Sequence, residues 1–540
     1  MAQTGKRQSN FLGGAAILAG TVALTKVIGA IYKIPLYNIL GDEGTAHFGV
    51  IYTIYNLILT LSTAGIPVAL SRLIAAARET GRRNQVRQYF RVGMGVFTLV
   101  GLVFMALMLL LAQQLANMMG DYEVAAGVRV LAPAVLFACI ISVYRGYSQG
   151  HKDMVPTSVS QVLEVFGKLL FGLALAAFLA KRGRDSSDVA AGAIVGVTLG
   201  LGVAVPLLWF FKRFTDQHRV VRVSTDRPLA AGLTAREILR VSIPIMLGSS
   251  IMNIITLIDT KLVLARLQSG AGFDYTDAKV LYGVYTKALT LFNLPSAFIT
   301  PVVISVVPFI AAHLAEKRTL QARETMESAM KVTNLFAMPA AAGMCVLAKP
   351  IFRVLYPNSN EMGPQLLAVL SIATFFVCTY IITNGILQAS GRERLALLGL
   401  PVGGLIKILT NWVLVGSPKV HIGGAPIGTL LCYLVITGLN VFFIRRSLRQ
   451  PPRILRISLR PLLCTLIMAG STWIVYGLCE KMILPVLGGG KIALFVCLGL
   501  AILFGVVIYC AMAVILHAVT RADMKLLPKG ERIADLLHIR

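Results

Sequence analysis

Five basic side chains fall within, or at the ends of, segments otherwise suited to hydrocarbon: Lys26, Lys33, Arg72, Lys261 and Lys287. Lys26 and Lys33 are seven residues apart, so at about 100° per residue they leave one face of a helix. No Asp or Glu between residues 11 and 40, or between 46 and 76, neutralises them or Arg72. An ionisable group at membrane depth costs at least about 2.5–3.5 kcal/mol and usually faces a cavity or a substrate path. A basic face in a water-filled cavity has the chemistry to hold an anion. The competing reading is snorkelling, in which Lys33 and Arg72, near helix ends, carry their charges to the interface. Lys26 lies deepest and is the least suited to it.

Acidic groups are fewer. Glu164 and Lys168 stand at i,i+4 with the Glu first, the favourable order for an internal ion pair, and a coupling role is the alternative. Asp259 and Lys261 are two residues apart and point to different sides of a helix. With no lysine at helical spacing, Asp259 is the better candidate for a coupling cation, Na⁺ or H⁺. Catalysis finds no support: HExxH, Walker, DxD and nucleophile-elbow patterns are missing. The seven His lie in loops or at crossing ends, so no cofactor and no intramembrane metal cluster is expected.

The elements that must position these residues are membrane helices. The 540 residues are 56% hydrophobic and only 14% charged, with mean hydropathy +0.76, which excludes a large soluble core. Hydropathy predicts fourteen crossings, at 11–40, 46–76, 88–116, 123–148, 156–180, 188–212, 238–266, 280–312, 328–348, 362–388, 395–416, 421–445, 457–479 and 491–517. The first apolar run is too long for a cleavable signal. Eight cysteines without metal or redox spacing read as packing residues. The crossing 280–312 carries Pro295, Pro301 and Pro308, a composition that permits bending.

The net charge of +27 suggests nucleic acid until its placement is considered. The most basic loops, 78–91, 212–240 and 445–460, fall on one side. This is the positive-inside pattern, with both termini cytoplasmic. Lys181, Arg182 and Arg184 dissent on the outer side, partly offset by Asp185 and Asp188. The expected partners are therefore anionic membrane lipids and no nucleic acid, with the chain acting as a monomer.

The chain also repeats itself. At an offset of 239, Leu131, Ala134, Phe137, Cys139, Gly146, Gln149 and Lys168 fall on Leu370, Ala373, Phe376, Cys378, Gly385, Gln388 and Lys407. At an offset of 234, Gly49, Val50, Pro67 and Ser71 fall on Gly283, Val284, Pro301 and Ser305. The period is six helices, an even number, so the halves share one orientation about an axis along the membrane normal. The expected fold is an all-α polytopic membrane protein of fourteen helices. An N-lobe (1–213), a cytoplasmic linker (214–237) and a C-lobe (238–447) precede two further helices and a basic tail (448–540).

These features resemble the multidrug/oligosaccharidyl-lipid/polysaccharide exporter superfamily. Gly65-Ile66-Pro67-Val68-Ala69-Leu70-Ser71-Arg72 is similar to the Gly-(Leu/Ile)-Pro-Val-Ala-hydrophobic-Ser-(Lys/Arg) stretch of its stage V sporulation protein B and MurJ-type lipid II flippase branch. Thr25-Lys26-Val27-Ile28-Gly29 resembles that branch's Ser-Arg-Val-Leu-Gly. The resemblance implies a non-enzymatic carrier whose cationic cavity holds the pyrophosphate of lipid II, with the last two helices forming a groove for its lipid tail. It implies Lys26, and near it Lys33, in the places of family arginines, with Lys287 on a helix carrying another. It also implies a Na⁺ site whose nearest matches here are Asp259, Asn411 and Thr429. Two departures stand out: lysine replaces arginine, keeping charge but losing bidentate phosphate recognition, and the family's acid after the first helix has no match near Ala46-His47. The implied activity is outward flipping of an undecaprenyl-pyrophosphate-linked saccharide across a bacterial plasma membrane. Export of another lipid-linked oligosaccharide and multidrug–cation antiport remain as alternatives.

Overall fold

The computed structural model describes residues 20–218, 225–486, 488 and 490–519, and among these the secondary structure is entirely helical. Among the described residues, thirteen stretches are long and apolar enough to cross a membrane, and a shorter apolar helix, α1 (Gly20–Ile31), precedes them. The start of the expected first crossing, 11–19, and the basic tail after 519 lie outside the described residues.

The first hairpin differs from its expected form. Helix α2 (Lys33–Thr63) runs through the predicted loop around 41–45 and bends only at Gly41, whose φ of 70° suits a residue without a Cβ. Then α3 (Ile66–Glu79) restarts with Pro67 in its first turn, where a missing N–H leaves nothing unsatisfied. Next come α4 (Arg83–Leu110), α5 (Ala112–Met119), α6 (Ala125–Gly150), α7 (Val155–Gly167), α8 (Leu173–Lys181), α9 (Ser186–His218) and α10 (Ala231–Ser269). A five-residue π-helical segment beginning at Lys168 joins α7 to α8. After α11 (Tyr275–Phe292), the predicted crossing 280–312 is broken at Asn293. The chain resumes as α12 (Leu294–Ala315), with Pro295 in its first turn and Pro301 and Pro308 inside it. The remainder is α13 (Thr319–Val346), α14 (Ala348–Leu355), α15 (Gly363–Ala389), α16 (Glu393–Leu414), α17 (Gly424–Ser447), α18 (Ile454–Val486) and α19 (Lys491–Ile515).

The chain forms two compact units, one through Gly283 and one from Val284. In the first, α6 is central, packing on α2, α3, α4 and α9. Its core joins Ile66, Leu70 and Ile74 of α3 to Phe97, Val143 and Ile238. Small residues let backbones meet: Gly167 faces Gly200 and Gly172 faces Gly196, so α9 lies close against the segment around Lys168. At the start of α4, the carboxylate of Asp226 accepts hydrogen bonds from the Asn84 and Gln85 backbone N–H groups at 3.0 Å. It thereby caps α4, whose own N-cap residue, Arg82, makes no side-chain cap bond.

In the second unit α15 is central, contacting α12, α13, α14 and α17, and α13 and α19 flank α18. Val306, Ile310, Met326, Met330, Ile382 and Ile386 build its main core. The two central helices, α6 and α15, carry six of the seven residue pairs related by the offset of 239, all but Lys168 and Lys407, and theirs are the most buried spans among the described residues. Large apolar side chains such as Leu110, Val413, Trp473 and Ile492 are exposed, as a hydrocarbon solvent requires. All eight cysteines are free thiols.

Candidate functional site

Four of the five predicted cationic residues belong to the first unit. Lys26 on α1, Arg72 on α3 and Lys261 on α10 are exposed, while Lys33 is half-buried with Nζ 5.7 Å from the Tyr52 ring centre. That cation–π contact shields the ammonium on one side without cancelling its charge. Asp259 lies on the opposite side of α10 from Lys261 and is buried; the next residue, Thr260, shares a hydrogen bond of 3.0 Å with Tyr282.

The fifth, Lys287, lies in the second unit. It is buried, with Nζ 5.4 Å from the centre of the Tyr356 ring. In the same unit Asn411 and Thr429 are buried on the adjoining helices α16 and α17. The Asn411 amide packs on Gly428, where a Cβ would collide with it, and the Thr429 hydroxyl lies 3.1 Å from the Tyr285 hydroxyl. Asp259 thus belongs to one unit, and Asn411 and Thr429 to the other.

Glu164 and Lys168 meet at 3.0 Å, and Arg145 of α6 adds a second contact to Glu164 at 3.3 Å. Sequence spacing reveals the first of these partners but not the second, which comes from another helix. Lys168 sits where the helix switches to π geometry, a local widening often found at working sites.

One network of ion pairs is absent from the sequence reading. Glu43 and His47 follow the Gly41 bend, Asp121 and Glu123 lie between α5 and α6, and Tyr275 and Lys279 open α11. Lys279, only 2% exposed, donates to Glu43 at 2.7 Å and to Glu123 at 2.8 Å. His47 Nδ1 is 2.7 Å from an Asp121 oxygen, and its Nε2 is 3.3 Å from Glu123. Because a carboxylate only accepts, the short contact puts a proton on Nδ1. Tyr275 donates to the other Asp121 oxygen at 3.0 Å and stacks on Tyr122.

Glu43, His47 and Glu123 bring their ligand atoms within 4.8 Å of one another, close enough for a metal ion. The Lys279 ammonium already provides the cation there, bonded to both carboxylates, so the donor set is better suited to an ion-pair network. The signal available in sequence was topological: positive-inside counting puts 41–45, 120–123 and 270–280 on the same face.

Helices long and apolar enough to span a bilayer define a polytopic membrane protein, and its relatives put it among the transporters of the multidrug/oligosaccharidyl-lipid/polysaccharide exporter superfamily rather than among enzymes. Residues 11–313, more than half of the chain, match the sequence family described as polysaccharide biosynthesis protein, and the chain belongs to that family. It is 27% identical over 526 residues to the membrane protein YabM of Bacillus subtilis (strain 168), covering 97% of this chain and 96% of YabM. It is 23% identical over 456 residues to the lipid II flippase MurJ of the same organism, covering 81% of this chain and 83% of MurJ. Among solved structures, a lipid II flippase MurJ in an inward closed conformation matches with a TM-score of 0.67 at 14% identity. That match covers 93% of this chain and 98% of the MurJ chain and establishes the shared fold.

Proposed function

We propose that this protein flips an undecaprenyl-pyrophosphate-linked saccharide, with lipid II as the cargo, from the inner to the outer leaflet of a bacterial plasma membrane. Similarity to MurJ along four-fifths of both chains supports the reading. The observation that carries it is the basic set Lys26, Lys33, Arg72 and Lys261 in the first unit, with no acid in the crossings that supply the first three. A cationic drug would be repelled by these charges, whereas a diphosphate would be attracted. The basic inner loops support an orientation with both termini cytoplasmic.

Complementation of a strain depleted of its own lipid II flippase tests the proposal. The parent chain should restore growth. Lys26→Ala should abolish rescue at normal membrane abundance, and Lys26→Arg should keep it, because charge is the property shared with the family's arginine. Failure of a well-expressed parent chain to rescue would reject lipid II as cargo.

A further inference from the structure

At the ends of α12, α13 and α18, within the second unit, lies a cavity of about 1290 Å³. Arg318, Arg323, Lys331, Arg453, Arg456 and Arg460 line it, against two acids, Glu324 and Glu327. Several of these charges are already engaged. Glu327 accepts from Arg323 Nε at 2.8 Å and from the Arg453 backbone N–H at 2.9 Å. Arg318 pairs with Glu316 at 3.1 Å, and Arg460 donates to the His517 carbonyl at 2.9 Å. The guanidinium groups of Arg453 and Arg456 make no ion pair and no hydrogen bond among the described residues, and both side chains are exposed to the cavity.

The walls are tied together. Asn334 of α13 donates to Ser458 of α18 at 2.9 Å, and Glu327 holds the start of α18 through Arg453. Helices α13 and α18 both begin at the cavity with no acidic residue in their first turns, so their N-terminal dipoles reinforce its positive potential. Between the basic groups and polar residues such as Ser305 and His313, one stretch of the wall is apolar: Val302, Val306 and Phe309 of α12 and Ile457 of α18. A soluble anion uses the basic rim and leaves this wall wet. A lipid bearing a phosphate uses both, head group on the guanidiniums and first methylenes on the wall.

We infer that this cavity is a binding site for the phosphate or diphosphate head of a membrane lipid, held by Arg453 and Arg456 with its tail along α12. By positive-inside topology it opens at the cytoplasmic leaflet, where basic pockets between helices meet anionic head groups. Two lipids offer the same chemistry: a bulk anionic phospholipid and the diphosphate-linked polyprenol of the proposed cargo. Only the second choice rests on the function proposed above.

The test is lipid binding to the purified full chain in detergent, read by native mass spectrometry. The probes are phosphatidylglycerol, undecaprenyl diphosphate and the zwitterionic phosphatidylcholine. The two anionic lipids should bind in preference to phosphatidylcholine, and Arg453→Gln combined with Arg456→Gln should weaken that binding about tenfold or more. The control pair Arg392→Gln with Arg394→Gln, exposed at the start of α16, should leave it unchanged and shows that lost surface charge alone is insufficient. Tighter retention of undecaprenyl diphosphate identifies a cargo subsite, and tighter retention of phosphatidylglycerol identifies a bulk-lipid site. Unaltered anionic binding by the double variant would overturn the inference. So would full displacement of the lipids by inorganic diphosphate, since the apolar wall would then contribute nothing. A chain that binds in this way yet fails complementation leaves the site standing and removes the proposed cargo.

Discussion

Lys279 reaches Glu43 across 2.7 Å, joining the start of α11 to the bend that opens the membrane hairpin of α2 and α3. Only the Glu43 side of the pair is substantially exposed; Lys279 is buried beneath Tyr275, whose ring centre is 4.2 Å from its ammonium. Helix α11 begins in the first unit and ends in the second, so this contact fixes the first turns of the segment that links them.

Removing the lysine leaves two carboxylates and His47 without their shared cation. Leaving a fully buried charge unpaired costs about 3–5 kcal/mol, and the loss here is smaller because Glu43 and Glu123 are about one-third exposed. Lys279→Met should still lower the thermal unfolding temperature in detergent. Glu43→Gln should lower it much less, because Lys279 keeps Glu123 and the Glu43 side chain is one-third exposed. Equal stability of Lys279→Met and the parent would remove this network from the forces holding the first unit together.

A second prediction separates two glycines that look alike in sequence. A Cβ on Gly65, at the α2–α3 turn, would fall inside the Ser242 backbone carbonyl of α10, while one on Gly95 within α4 meets nothing within 4 Å. Gly65→Ala should destabilise by about 1–3 kcal/mol as α3 is pushed from α10. Gly95→Ala should be neutral or stabilising by up to about 1 kcal/mol, through lost freedom in the unfolded chain. Denaturation of the two variants side by side checks this. An undiminished Gly65→Ala would mean that α10 yields without penalty.

Helix type and most crossings were legible in the sequence because hydrocarbon enforces long apolar runs and internal backbone hydrogen bonding. Boundaries were harder to read where polar residues continue a helix: Asp42-Glu43-Gly44-Thr45 looks like a turn, yet only Gly41 leaves helical geometry. The Glu164–Lys168 contact was visible because it obeys helical spacing, whereas Arg145 joins it from α6 and gave no local signal. Lys279 lies one residue outside the predicted crossing 280–312 and so escaped a search for charges inside crossings. Its partners are distributed over two distant segments, and packing alone brings them together. Arg453 and Arg456 were read as topological charge, since nothing local shows that α12 and α13 fold a cavity around them.

The last prediction concerns the driving force. The hypothesis is that membrane potential moves the cargo outward and that a cation entering at Asp259 resets the carrier. Asp259 is buried on α10, while Lys261, two residues on, is exposed. With the inside negative, each elementary charge crossing 100 mV is worth about 2.3 kcal/mol. A diphosphate carrying about two negative charges thus gains at most about 5 kcal/mol on moving outward, less whatever cavity lysines moving with it cancel. The emptied basic carrier is drawn back by the same field, and a cation at Asp259 favours the inward-facing state by binding it more tightly. In proteoliposomes, collapsing the potential with an ionophore at constant pH gradient should stop flipping. Asp259→Asn should slow turnover more than it weakens cargo binding. Flipping that ran equally fast at zero potential, together with an Asn variant indistinguishable from the parent, would show that neither the field nor Asp259 drives the cycle.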